Sequence, residues 1–201
     1  SRQAVPAGGT LVRSDPHRYR GFLDPRVYAD LVRRVAVLGG ESSGKTSLAR
    51  ALADQLNTAW VPEYGRELWE RRDGRLCFPD MVHIAREQVL REERLAQAAK
   101  DWMVCDTTPL TTRFYGEAMF GKIDPELDRL ADRRYDLIVV CEPDFSFVQD
   151  GTRRGEAFRG LQHGWYLNEL RRRQLQHLAV AGTVADRART VRTALSRSSD
   201  F

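Results

Sequence analysis

Gly39-Gly40-Glu41-Ser42-Ser43-Gly44-Lys45-Thr46 sets a lysine and a hydroxyl behind a glycine-punctuated bend. That spacing suits phosphate groups: backbone N–H groups of the bend and of the following helix converge on an anion. Lys45 reaches the β- and γ-phosphates of a nucleotide, and the Thr46 hydroxyl holds Mg²⁺. Ser47 completes the cofactor-binding set at the helix start. The flanks agree, because Val35–Leu38 is a short apolar run and Leu48, Ala49, Leu52, Ala53 and Leu56 recur at helical spacing.

Two carboxylates are candidates for the rest of the chemistry. Asp106 ends the apolar run Trp102-Met103-Val104-Cys105 and is placed to hold Mg²⁺; capping the next helix is the alternative. Thr107 and Thr108 either add hydroxyls to that site or cap. Glu63, in Glu63-Tyr64-Gly65-Arg66-Glu67, follows a second strand and points into the same cleft, where a carboxylate can accept a proton from an attacking hydroxyl. Arg66 either joins the site or pairs with Glu67 on a helix surface.

Asp150-Gly151-Thr152-Arg153-Arg154-Gly155 has the character of a mobile lid whose arginines close over a transferred phosphoryl group. A solvated charge run is its plain alternative. Arg159 and Arg171-Arg172-Arg173 are expected on the surface. Gly182-Thr183 ends the fifth strand, a turn that in phosphate-loop kinases lies beside adenine. Trp60, Tyr64, Trp69, Phe114, Tyr115 and Trp165 cluster near the cleft, each expected by default in the core.

The elements that must position these groups alternate. Strands are expected at 35–38, 58–62, 102–106, 137–141 and 177–181. Helices are expected at 26–31, 47–56, 65–72, from 78 to about 98, 111–119, 125–133, 158–176 and 184–195, with an irregular stretch at 143–157. This is an α/β pattern: a five-stranded parallel sheet with helices on both faces and ligands at the carboxyl ends of the strands. Residues 1–32 stand apart, with a loop at Ala7–Thr10 and a capped helix after Asp24-Pro25.

With 201 residues, 42% hydrophobic and 30% charged, the chain suits one globular domain. The modest net charge of +4 favours phosphorylated ligands and could support weak nucleic-acid contact, though nucleic acid is not the partner expected for this chain. Only Lys45, Lys100 and Lys122 are lysines. Cys77, Cys105 and Cys141 lack a Cys-x-x-Cys spacing, and the four histidines form no metal-ligand spacing, which fits a reducing cytoplasm. No apolar run is long enough to span a membrane.

Taken together, GGESSGKT at 39–46, EYGRE at 63–67, Asp106-Thr107 and VQDGTR at 148–153 resemble the ribosylnicotinamide kinase domain of bifunctional and trifunctional NAD-biosynthesis proteins. The resemblance covers residues 33–195. It implies a P-loop kinase that uses ATP and Mg²⁺ to phosphorylate the 5′-hydroxyl of nicotinamide riboside. Lys45, Arg153 and Arg154 would stabilise the phosphoryl group, Glu63 or Asp106 would act as base, and Glu63, Tyr64, Arg66, Asp106 and Thr107 would contact the riboside. In that family the kinase follows an adenylyltransferase domain. Gly9-Thr10-Leu11-Val12-Arg13, with Gly8 where a serine often stands, looks like the end of one, so residues 1–32 are expected to be the tail of such a partner domain and 33–201 the kinase. Val61-Pro62 departs from the family by separating Trp60 from Glu63, and the base-stacking aromatic is left unassigned. Another nucleoside or nucleotide kinase, or a metabolite-sensing module, is the alternative. A guanine-nucleotide switch is excluded: Asp106-Thr107-Thr108-Pro109 lacks its glycine, and Lys122-Ile123-Asp124 follows a helix.

Overall fold

The computed structural model describes residues 9–151 and 153–197. Thr152 of the expected lid, the Ala7-Gly8 part of the expected tail and residues 198–201 lie outside them. Five strands form one parallel sheet in the order β2-β3-β1-β4-β5: β1 (Arg33–Leu38), β2 (Trp60–Val61), β3 (Trp102–Asp106), β4 (Leu137–Cys141) and β5 (Leu178–Val180). Around it run α1 (Gly9–Ser14), a 3-10 turn (Arg20–Phe22), α2 (Pro25–Leu31), α3 (Lys45–Leu56), α4 (Tyr64–Arg71), α5 (Phe78–Ala96), α6 (Pro109–Phe120), α7 (Pro125–Ala131), α8 (Glu156–Arg172) and α9 (Val184–Arg197).

Alternation along the strands divides the core in two. Val35 and Val37 of β1 pack with Val104, Val139 and Val180 against Leu48 and Leu52 of α3 and Val191 and Leu195 of α9. Ala36 and Leu38 face the other side with Ile138 and Val140, under Leu110, Tyr166 and Leu170. Both faces are therefore buried, which is why the strands read as continuous apolar runs. Helix starts are built from local chemistry. Asp24, Thr108 and Asp124 each accept a backbone N–H two residues on, and a proline follows each.

The structure corrects several expectations. Gly9-Thr10 begins a helix rather than lying in a loop. The second strand contracts to Trp60–Val61 and the fifth to Leu178–Val180. The long helix starts at Glu156, because Gly155 at φ 118° turns the chain into it. Residues 17–32 pack against the sheet layer: Tyr28 is 2% exposed and its hydroxyl donates to the Ala99 carbonyl at 3.0 Å. Among the described residues no helix is long and apolar enough to cross a membrane.

Candidate active site

The glycine bend runs from β1 into α3 at the carboxyl edge of the sheet. Its glycines are set by close approach. A Cβ on Gly39 would lie 2.8 Å from the Cys141 carbonyl, and one on Gly40 only 2.6 Å from the Arg159 carbonyl. Gly44, at φ 80°, takes the left-handed turn that delivers Lys45 to the first turn of α3. Lys45 Nζ donates to the Gly40 carbonyl at 2.9 Å, so the ammonium folds back over its own loop. Arg159, expected on the surface, is 5% exposed: it donates to the Phe145 carbonyl at 2.8 Å while its own carbonyl presses on Gly40. Arg173 departs the same way, held by Glu169 at 2.8 Å with a side chain 8% exposed.

The side chains of the bend reach the lid segment. Ser42 Oγ accepts from the Val148 N–H at 3.0 Å and from Arg153 Nη1 at 3.2 Å. The Glu41 carboxylate accepts from the Arg154 N–H at 2.7 Å and from the Tyr115 hydroxyl at 3.0 Å, while the Glu41 N–H donates to Gln162 Oε1 at 2.8 Å. Burial, with the charges of Glu63 and Glu41, pushes the Tyr115 hydroxyl up, so it stays a proton donor. Asp150 pairs with Arg153 at 3.0 Å and Arg66 at 3.6 Å, tying the lid to α4.

Asp106 ends β3 opposite Val37 and is 1% exposed, and its Oδ1 has no hydrogen-bond partner. Thr108, not Asp106, caps α6, with its hydroxyl 3.2 Å from the Leu110 N–H. Thr107 sits at φ 69°, a strained conformation for a β-branched residue, and lines the cavity between the bend and α4. Glu63 stands at the cap position of α4 without making a cap bond, so its carboxylate is left for the cavity, 3.9 Å from Arg66 Nε. Burial and the nearby Asp106 charge raise the Glu63 pKa against the pull of Lys45 and Arg66. Burial likewise raises Asp106, opposed by the Thr46 hydroxyl, Lys45 and Arg66.

Glu41, Lys45, Glu63, Arg66, Thr107, Arg153 and Arg154 line one cavity together with Trp69, Leu76, Met81, Ile84, Tyr115 and Met119. It has a charged end at the bend and an apolar recess between α4, α5 and α6. Tyr64 does not line it. The ring is buried, and the hydroxyl lies 2.9 Å from His83 Nε2. Trp60 instead packs under Arg50 at 4.5 Å, and Phe114 is buried against Tyr115, Phe158 and Trp165.

Gly182 and Thr183 lie at the α9 end of the site, where Thr183 and Asp186 cap the helix reciprocally. Sequence reasoning missed the residue that ties this turn to the bend. Arg187, 1% exposed, donates to the carbonyls of Gly182 at 2.9 Å, Ser43 at 2.6 Å and Glu142 at 3.0 Å, and pairs with Asp144. Its only sequence signal was a charge inside the apolar stripe of α9, between Ala188 and Val191 on one side and the turn on the other. Gln88 and Gln162, both buried cavity residues, were also missed.

The strand order and the glycine bend define a P-loop nucleotide-binding protein, with the fold that P-loop kinases share. The chain belongs to the family described as AAA domain, whose model matches residues 34–187. It is homologous to the trifunctional NAD biosynthesis/regulator protein NadR of Escherichia coli (strain K12), with 32% identity over 157 residues, 76% of this chain and 38% of that protein. The corresponding Salmonella typhimurium protein is 33% identical over the same shares. The chain thus spans 38% of the length of the curated relatives it matches. A crystal structure of NadR protein in complex with NR superposes with a TM-score of 0.72 at 24% identity, covering 90% of this chain and 56% of that one. Thymidylate kinase from Ehrlichia chaffeensis shares the fold at a TM-score of 0.58 and 16% identity, covering 82% of this chain and 98% of that one.

Proposed function

We propose that the chain transfers the γ-phosphoryl group of ATP to the 5′-hydroxyl of nicotinamide riboside, giving the mononucleotide. The observation that carries this reading is the single cavity that joins Lys45 of the glycine bend to the raised carboxylate of Glu63 and then to an apolar recess fit for a flat ring. Homology to the NAD biosynthesis/regulator proteins supports the riboside over other acceptors.

Each residue takes a role from its position. Backbone N–H groups of residues 39–46 and the start of α3 bind the phosphates, and Ser47 follows on that first turn. Lys45 leaves the Gly40 carbonyl to reach the transferring group. Thr46 and Asp106 would hold Mg²⁺, and the buried, unpartnered Oδ1 of Asp106 fits a hard cation with oxygen ligands. Held by these two residues, such an ion would supply charge neutralisation at the phosphates. Glu63 accepts the proton of the 5′-hydroxyl as the oxygen forms its bond to phosphorus and ADP departs. Arg153 and Arg154 sit on the lid beside Ser42 and Glu41, where they shield the transferred group from water. Arg66 and Thr107 border the acceptor, Tyr64 supports α4 from the core, and Gly182-Thr183 flanks the adenine end.

We assign residues 1–32 to the junction with a preceding adenylyltransferase domain in a longer protein, and place the enzyme in the cytoplasm, where ATP is the donor and Cys77, Cys105 and Cys141 remain free thiols. The test is a panel of nucleosides with ATP and Mg²⁺, read by ADP release and product mass. Nicotinamide riboside is expected to gain one phosphate and to exceed every other nucleoside in kcat/KM. Turnover of a deoxynucleoside in its place would move the assignment to the other kinases of this fold, and turnover of none would end the kinase reading.

A further inference from the structure

Gln88 sits on α5 beneath the apolar recess and is 2% exposed. Its Oε1 accepts the Tyr64 N–H at 3.0 Å, one of the donors that the first turn of a helix leaves unsatisfied. A backbone N–H must face an acceptor, so this bond fixes which way the amide is turned. Nε2 then points the other way. It has no hydrogen-bond partner, and the residue lines the cavity beside Trp69, Met81 and Ile84. A buried donor in an apolar wall destabilises a protein unless something supplies an acceptor. Trp69 of the same lining is held close from behind: a Cβ on Gly74 would lie 3.0 Å from its Cζ2, so the turn after α4 backs the indole.

We propose that Gln88 is the base-reading residue of this site: its Nε2 donates to an exocyclic carbonyl oxygen on a planar ring held in the recess. The inference rests on the riboside-kinase reading and narrows it. A ring with a carbonyl satisfies the orphaned donor. A ring presenting an exocyclic amine would set donor against donor, a mismatch that sites built for hydrogen bonding reject strongly.

The experiment compares nicotinamide riboside with pyridinium riboside, which keeps the ring charge and ribose but lacks the carboxamide. Binding by calorimetry and kcat/KM with ATP are measured for wild type, Gln88→Glu and Gln88→Met. The glutamate keeps an acceptor for the Tyr64 N–H, and the methionine keeps the volume. Wild type is expected to favour the carboxamide by about tenfold, the effect of one added hydrogen bond. Gln88→Met, which neither donates nor accepts strongly, is expected to bring that ratio to parity, and Gln88→Glu, which can only accept, serves as the control that keeps the Tyr64 N–H paired. A ratio that stays at the wild-type value in Gln88→Met, or a wild type that treats the two ribosides alike while phosphorylating both, overturns the assignment of Gln88 and leaves the kinase reading intact. A wild type that binds neither riboside removes the kinase reading and this inference with it.

Discussion

Two buried carboxylates, one on α5 and one on β3, meet opposite fates. Glu92 is fully buried near the amino ends of β1 and β4, where Arg133 Nε and the Tyr135 hydroxyl each donate to it at 2.8 Å. Asp106 is equally buried at the carboxyl end of β3, yet Oδ1 has no partner and Glu63 adds a second negative charge close by. Burial raises the pKa of both groups. Desolvation therefore does not separate a structural acid from a functional one. Completion of the hydrogen bonds is the difference on which we base the proposed division: the satisfied carboxylate belongs to the scaffold, and the one with an unpartnered oxygen to the ligand site.

The sharpest way to break this contrast is Asp106→Asn. Removal of the charge that would hold the cation is expected to lower turnover by about 10³-fold, while the ligand-free melting temperature stays level or rises. Activity near wild type would put Asp106 on the scaffold side. Glu92→Ala is expected to do the reverse. It takes from the Arg133 guanidinium its buried partner, leaving only the exposed Glu93 at 3.5 Å, and should cost about 3 kcal/mol in denaturant unfolding while leaving turnover per folded molecule unchanged.

Acidity offers a gentler probe. The Glu63 carboxyl is raised above 4.5, so the folded chain holds that proton more tightly than the unfolded chain. Its contribution to stability is full below 4.5 and is lost as pH climbs through the raised value. Glu169 runs the other way. Hydrogen bonds from Arg172 and Arg173 hold it down to about 2, so its contribution is present above 4.5 and disappears as pH falls towards 2. Glu63→Gln should therefore flatten the alkaline wing alone and raise stability near neutrality, at the expense of catalysis. Melting curves of the two proteins between acid and neutral pH that stay parallel would contradict the assignment.

Much of this contrast was legible in the sequence. The bend at Gly39–Thr46 announces itself because a phosphate-binding loop needs its residues at fixed spacing, Asp106 stands out as the charge that closes an apolar run, and the five strands follow from continuous apolar runs buried on both faces. Arg159 and Arg187 were hidden because an arginine in a helix reads as solvent-facing until the carbonyls it satisfies, from Phe145, Ser43 and Gly182, are brought round by the fold. Gln88 was hidden for the same reason: its partner is a helix-start N–H on another element. Tyr64 looked like a ligand contact by its place in the motif, but the α4 helix turns its ring into the core beneath Arg91. Short-range spacing encodes the loop; long-range polar satisfaction does not appear in any local pattern.

The most direct test sets Asp106→Asn and Glu92→Ala side by side in one assay of phosphoryl transfer from ATP to nicotinamide riboside, with each rate divided by the folded fraction measured in the same buffer. The unsatisfied carboxylate should take nearly all of the rate with it, and the satisfied one nearly none. Equal losses for the two variants, or a larger loss for Glu92→Ala, would contradict the division between a working carboxylate on β3 and a supporting one on α5.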